Sequence, residues 1–282
     1  AGVKYLQKHG YPVFKFPENA AKAFGTLYRY SQWLNRPILE DLTLSHDNER
    51  AAAIINSCLS AGKMHLGELD GLELLRCYGF SVLPTRLAKT AEEAADIAES
   101  MTFPVVMKIV SPQILHKSDA GGVVVGLKSR QDVVKAFDKI VESASTYDPN
   151  AVIEGVLVQK LAPSGEEVIL GMNRYTIFGP LLMFGVGGIF VEVFQDVTFR
   201  LAPIRRNSAH RMIREIKGYK LLSGFRGRPK RDLEILEKLL MSLSDMVTDH
   251  PEIMEMDINP LLVHEEGKGA TVADCRIILK SP

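Results

Sequence analysis

Cysteine is scarce in this chain. Its 282 residues include three, Cys58, Cys77 and Cys275, odd in number and far apart. They form neither a zinc pattern nor a disulfide framework, which points to a reducing, cytoplasmic compartment. Net charge is missing as well: 34 Lys and Arg balance 34 Asp and Glu. No long-range field draws the protein to nucleic acid or to an anionic membrane, so any anion it binds is held by local chemistry. No apolar run reaches the roughly 18 residues of a membrane span. Repeats, low-complexity tracts and the glycine-rich P-loop pattern ahead of Lys-Ser/Thr are also absent from the sequence. Ala1 is followed at once by ordinary fold sequence rather than a signal peptide, as expected of a piece of something longer.

What is present is ordinary globular material, 46% apolar and 24% charged, long enough for one large domain or two modest ones. The first residues look like the end of a structure. "YPVF" suits a short strand, and "FPENAAKAFGTLYRYSQWL" suits a helix opened by Pro17. Residues 37–65 read as a linker around a short helix, "ERAAAIINSCLSAG". From there strands and helices alternate: helix "GELDGLELLRCYG" stopped by Gly79, strand "FSVLP", Thr-capped helix "TAEEAADIAES", apolar strand "FPVVMKIV", strand "GGVVVGL" and helix "SRQDVVKAFDKIVESAS". Beyond residue 151 short strands dominate, with helices near 208–217 and 230–248 and a closing hairpin around "HEEGKGA". The expected fold is α/β in two lobes, with the ligand in the cleft between them.

Four places carry chemistry. Lys108 interrupts the apolar run "VVMKIV", where it either snorkels to water or reaches a phosphate. The stretch "ILHKSDAGGVVVGL" follows, with His116, Lys117, Gly121 and Gly122. Such a glycine pair is an ordinary turn or a place where backbone N–H groups approach phosphate oxygens. An imidazole there is neutral much of the time near neutrality and can act as a nucleophile. In "EMDINP", Glu255, Asp257 and Asn259 share one face of a strand. A hairpin turn near Gly267 places Asn259 opposite Asp274 or Cys275. The resulting pair of hard oxygen donors suits Mg²⁺ if the face looks into a cleft, and is a solvated polar face otherwise. Finally, "GVGGIFVEVFQDVTFRLAPI" offers Glu192 and Arg200, the latter either paired with Asp196 or clamping a phosphate. In "LVQKLAPSGEEVILG", Glu167 is placed to accept from a ribose hydroxyl.

Taken together, "VMKIVSPQILHKSDAGGVVVGL", "VQKLAPSGEEVILGM", "GVGGIFVEVFQDVTFRLAPI" and "EMDINPLLV…VADCRIIL" resemble, in order and from about residue 66 to the end, the ATP-grasp half of ADP-forming acyl-CoA synthetases, relatives of the succinyl-CoA synthetase β subunit. Residues 1–36 resemble the end of the flavodoxin-like CoA-ligase domain that precedes ATP-grasp in single-chain members. The resemblance implies domains at 1–36 and 66–282, and a set of roles. Lys108 and Lys117 would meet nucleotide phosphates, Gln159 the adenine side and Glu167 the nucleotide edge. Asn259 and Asp274 would hold Mg²⁺. His116, which replaces a glycine of the succinate enzymes, would be phosphorylated on a mobile loop hinged at Gly121 and Gly122, with Asp257 or Glu192 orienting its ring. The implied reaction is acyl-CoA + ADP + phosphate ⇌ acid + CoA + ATP. CoA would be bound by absent CoA-ligase domains or an α subunit, in a dimer or heterotetramer. Two other functions compete: a regulatory ATP-grasp-like module, as in some protein acetyltransferases, and a ligase that phosphorylates a carboxylate directly without His116.

Overall fold

Helical and strand periodicities alternate along the chain, and the computed structural model turns them into ten strands and nine helices over the described residues 2–35, 38–114, 117–188 and 195–280. The chain divides into two units, 1–40 and 41–282.

The first unit consists of α1 (Gly2–Lys8) and α2 (Pro17–Leu34). Pro17 opens α2 as expected, because its missing N–H is one the helix start leaves unpaired anyway. Neither helix buries a residue, and Phe24, Leu27, Tyr28 and Trp33 are exposed. The strand expected at "YPVF" is absent: residues 11–14 have no regular structure and, among the described residues, no partner strand.

The second unit begins with α3 (Asn48–Ser60), capped by Asp47, and α4 (Glu68–Cys77). Where a linker was expected over 37–65, α3 instead buries Ala51, Ile55 and Cys58 in the main core. Its apolar residues at helical spacing supply that face. The expected strand "FSVLP" is also displaced. Residues 80–84 cross between lobes, with one isolated bridge from Val82 to Val272 and the Pro84 carbonyl accepting from Lys160 N at 3.1 Å, and β1 starts at Thr85.

The smaller lobe holds β1 (Thr85–Ala88), α5 (Ala91–Met101), β2 (Val105–Val110), β3 (Val123–Leu127), α6 (Arg130–Tyr147) and β4 (Gly155–Lys160). Its sheet runs β1-β4-β2-β3, antiparallel throughout. Thr90 and Ser129 cap α5 and α6 by accepting from the N–H groups of Glu93 and Asp132. Strand alternation sends Val105, Met107 and Ile109 into the core under these helices, with Val156, Val158, Ala98 and Ile140. Lys108 necessarily points the other way, into the cleft.

The larger lobe holds β5 (Glu166–Tyr175), β6 (Gly179–Val186), β7 (Val197–Leu201), α7 (Arg206–Glu215), α8 (Tyr219–Ser223), α9 (Leu233–Asp249), β8 (Ile253–Val263), β9 (Ala270–Val272) and β10 (Cys275–Leu279). The sheet order is β10-β8-β5-β6-β7, with β9 beside β8. One face packs Leu170, Leu182, Phe184, Met256 and Ile258 against Leu240, Leu243 and Met246 of α9 and against α4. The opposite face, carrying Asp257 on β8, turns toward the cleft. Both lobes combine an antiparallel sheet with helices, the two-lobed fold expected. No helix among the described residues is long and apolar enough to cross a membrane.

Candidate functional site

A cavity of about 440 Å³ opens between the lobes, with Glu68, Lys117, Asp257, Asn259, Asp274 and Arg276 among its lining residues. The β8–β10 hairpin builds one wall. Ile258 pairs with Cys275, and the Asn259 N–H donates to the Asp274 carbonyl at 3.2 Å. Asn259 therefore stands opposite Asp274, one of the two partners its spacing allowed.

Lys108 is 6% exposed and reaches across the cleft. Its ammonium donates to the Ala273 carbonyl at 2.7 Å and to Glu68 Oε1 at 3.0 Å, and lies 3.7 Å from Asp274 Oδ2. Lys117 donates to the other Glu68 oxygen and lies 3.6 Å from Asp274 Oδ1. Two lysines thus alternate with two carboxylates. Burial alone would push the Glu68 carboxyl up, but the two ammonium groups outweigh it and hold it below the ordinary range. Burial opposes the charge on Lys117, yet Asp274 and Glu68 prevail and raise its pKa. The snorkelling alternative for Lys108 is excluded by its contacts.

Asp257 lies opposite Arg276 in the ladder, and Arg276 gives its ion pair to Glu255 at 2.6 Å. Asp257 Oδ1 is buried without a hydrogen-bond partner. Burial pushes its carboxyl up, against the pull of Arg276. Among the described residues no three His, Cys, Asp or Glu side chains gather closely enough to hold a metal. The donors present are one amide and one carboxylate side by side, with the unpartnered Asp257 oxygen near them on the same wall. That set fits Mg²⁺, which keeps several waters and shares substrate phosphates rather than filling an all-protein cage.

The other expected site residues are spread more widely. Gln159 is buried on β4 and donates to Thr85 Oγ1 at 3.0 Å. Glu167 is exposed at the start of β5, where its carbonyl accepts from Gly187 N at 2.7 Å. Arg200 on β7 pairs with Glu215 at 2.5 Å, not with Asp196. Asp196 instead accepts from the N–H groups of Lys217 and Gly218 at 2.7 and 2.6 Å. Gly121 has φ +65°, and Gly122 lies so near β2 that a Cβ there would stand 2.4 Å from Ile109 Cγ2. His116 and Glu192 lie outside the described residues. Glu68 is the site residue that sequence reading missed. It sits in the first turn of a recognised helix, 40 positions from its partner Lys108, and the acidic run "GELD" was its only signal.

A two-lobed arrangement of antiparallel sheets with lysines and oxygen donors facing across the cleft is that of ATP-grasp proteins, and the chain belongs to this family: the model of the ATP-grasp domain matches residues 57–279. Within it the chain is 45% identical over 231 residues to the acetate–CoA ligase [ADP-forming] II subunit beta of Pyrococcus furiosus, covering 82% of this chain and 98% of that one. It is 44% identical over 277 residues to acetate–CoA ligase [ADP-forming] I of Archaeoglobus fulgidus, covering 98% of this chain but spanning 40% of the length of that relative. Among solved structures, dinucleotide-forming acetyl-coenzyme A synthetase 1 of Ca. Korarchaeum cryptofilum, in complex with coenzyme A and Ca-AMPCP, matches with a TM-score of 0.78 and 45% identity over 82% of this chain and 100% of that one. A second structure of that synthetase, with Mg-AMPPCP and its phosphohistidine segment pointing towards the nucleotide binding site, matches with a TM-score of 0.71, 41% identity and coverage of 82% and 100%.

Proposed function

We propose that this chain is the nucleotide-binding part of an ADP-forming acyl-CoA synthetase and moves a phosphoryl group between His116 and ADP. The observation that carries the reading is the cluster of Lys108 and Lys117 beside Asp274 and Asn259 in the cleft. It unites phosphate-seeking ammonium groups with the oxygen donors of a nucleotide-bound cation. The similarity to acetate–CoA ligase subunits supports the same reading.

In this reaction, acyl-CoA + ADP + phosphate ⇌ acid + CoA + ATP, the chain's work is positioning and charge neutralisation. Lys108 and Lys117 offset the charge of the β- and γ-phosphates, and Gln159 and Glu167 meet the base and ribose. Asn259 and Asp274 would hold Mg²⁺, whose contribution is to screen the phosphate oxygens. His116 carries the phosphoryl group on its imidazole, and Asp257 or Glu192 accepts from the opposite ring nitrogen and fixes the tautomer. Arg200 supplements the phosphate contacts. CoA and the acid bind to CoA-ligase domains or an α subunit beyond this chain, and residues 1–36 are the end of such a domain.

The test is peptide mass spectrometry of the full protein after incubation with Mg·ATP at neutral or alkaline pH, with His116→Ala as control. An acid-labile phosphoryl group on His116, discharged by ADP, is expected. ATP binding without any phosphate at His116 overturns the carrier role.

A further inference from the structure

Glu68 belongs to none of the groups that meet nucleotide in the reading above, yet it holds both lysines that do. Its two oxygens are divided between them, Oε1 to Lys108 at 3.0 Å and Oε2 to Lys117. The same ammonium groups stop at 3.7 and 3.6 Å from Asp274, outside hydrogen-bond distance. Exposure separates the two carboxylates in the same sense: the Glu68 side chain is 5% exposed, the Asp274 side chain 32%. Both Glu68 oxygens are thus taken up by lysine at the cavity wall, whereas Asp274, whose Oδ1 accepts from the Cys275 N–H at 2.9 Å, keeps the larger share of its side chain open to the cavity.

The scaffold enforces this division. Glu68 stands in the first turn of α4, where the helix dipole favours a carboxylate. Leu72, Leu74 and Leu75 anchor that helix in the core, and Gly71 lets it approach β10 so closely that a Cβ would stand 3.0 Å from Cys275 Sγ. Lys108 is fixed on β2 and by its bond to the Ala273 carbonyl. Without the Glu68 charge, two ammonium groups would face one carboxylate less than 4 Å away. Coulomb attraction in so buried a place would draw them onto Asp274, where they compete with any cation.

We propose that Glu68 is a positioning residue that holds Lys108 and Lys117 off Asp274, leaving that carboxylate free for the divalent cation that accompanies the nucleotide. The inference rests on the Mg-nucleotide reading of the site. It carries a second consequence of opposite sign. Glu68 also satisfies the lysines, so it weakens their grip on phosphate when no metal is present. Metal binding and metal-free nucleotide binding therefore change in opposite directions when the Glu68 charge is removed.

The test uses the full protein and its Glu68→Gln variant, with Mn²⁺ binding read by electron paramagnetic resonance and ADP binding read by calorimetry in EDTA. The variant is expected to lose about 10-fold or more in Mn²⁺ affinity, as outer partners of metal ligands do, and to bind metal-free ADP more tightly than wild type. Glu68→Asp, whose carboxylate is one methylene shorter, should show the same pair of shifts at smaller size. It replaces Glu68→Gln if that variant fails to fold. If wild type binds both ligands but the variants weaken both, or leave both unchanged, Glu68 is merely structural and the proposal falls. If wild type binds neither ADP nor Mn²⁺, the nucleotide-site reading falls and takes this role with it.

Discussion

The ammonium group of Lys108, on the sheet of the smaller lobe, donates to the carbonyl of Ala273, in the hairpin wall of the larger lobe, at 2.7 Å. One side chain therefore ties the two lobes together and places its charge at the floor of the cleft. Lys108→Met should lose on both counts. Glu68, 5% exposed, would keep Lys117 alone as partner. Truncating one member of a buried, hydrogen-bonded charge cluster costs about 1–3 kcal/mol, more where no second partner remains. Urea unfolding is expected to register a loss of about that size, and calorimetry a large fall in ADP affinity. A variant as stable as wild type would show that the cluster is not a clasp between the lobes.

Gly122 predicts a different failure. Its N–H donates to the Lys117 carbonyl at 2.8 Å and its carbonyl accepts from Ile109 N at 2.8 Å, so the turn carrying Lys117 is stitched to β2. A Cβ at Gly122 would stand 2.4 Å from Ile109 Cγ2 and 3.0 Å from the Lys117 carbonyl oxygen. Gly122→Ala should force turn and strand apart at a cost of about 1–3 kcal/mol, the usual price of overpacking. The displaced Lys117 should weaken ADP binding as well. Thermal melts and ADP titration of the same preparation check both effects. Unchanged melting would show that the turn yields without strain.

Much of this was legible locally. Thr90 and Ser129 announce their helices because a cap is written within four residues. The alternation of "VVMKIV" places Lys108 opposite the core-facing Met107 and Ile109. Counting from the hairpin turn narrows the partner of Asn259 to Asp274 or Cys275, and the strand register selects Asp274. What escaped depends on partners far away in sequence. "FSVLP" has the composition of a strand, but only Val82 finds a bridge, to Val272, so the segment crosses between lobes instead. α3 reads as linker material until Ile55 and Cys58 meet the core. Glu68 finds Lys108 and Lys117 only after both lobes have formed, and no local pattern reports that meeting.

Asp196 offers a check on the larger lobe. It is 7% exposed, and its two oxygens accept the Lys217 and Gly218 N–H groups just before α8. Asp196→Ala strands both donors, each bonded to a charged acceptor in the wild type. A loss of about 2–4 kcal/mol is expected in urea unfolding, and Asp196→Asn should recover part of it. Equal stability of the Ala variant would mean that water replaces the carboxylate at both N–H groups.

His250 sets a pH dependence that the charge clusters do not. Its ring is 7% exposed, stands edge-on to Tyr78 with centroids 6.0 Å apart, and leaves Nε2 without a hydrogen-bond partner. Asp249 and Glu252 favour its protonation, but burial is the larger influence and lowers its pKa below the ordinary histidine value of 6.5. Acid therefore protonates His250 in the unfolded chain before it does so in the folded one. Between those two pKa values the unfolded state binds more protons, so stability falls as pH drops below about 6.5 and is unaffected by this group above about 7.5. Carboxylates paired in the fold add their own acid loss at lower pH, which is why the comparison must be made with a variant. His250→Phe keeps the ring against Tyr78 and removes the titration. Its melting temperature should decline less than that of wild type between about pH 7.5 and 5.5. Parallel declines across that window would mean that His250 takes up its proton as readily in the fold as outside it.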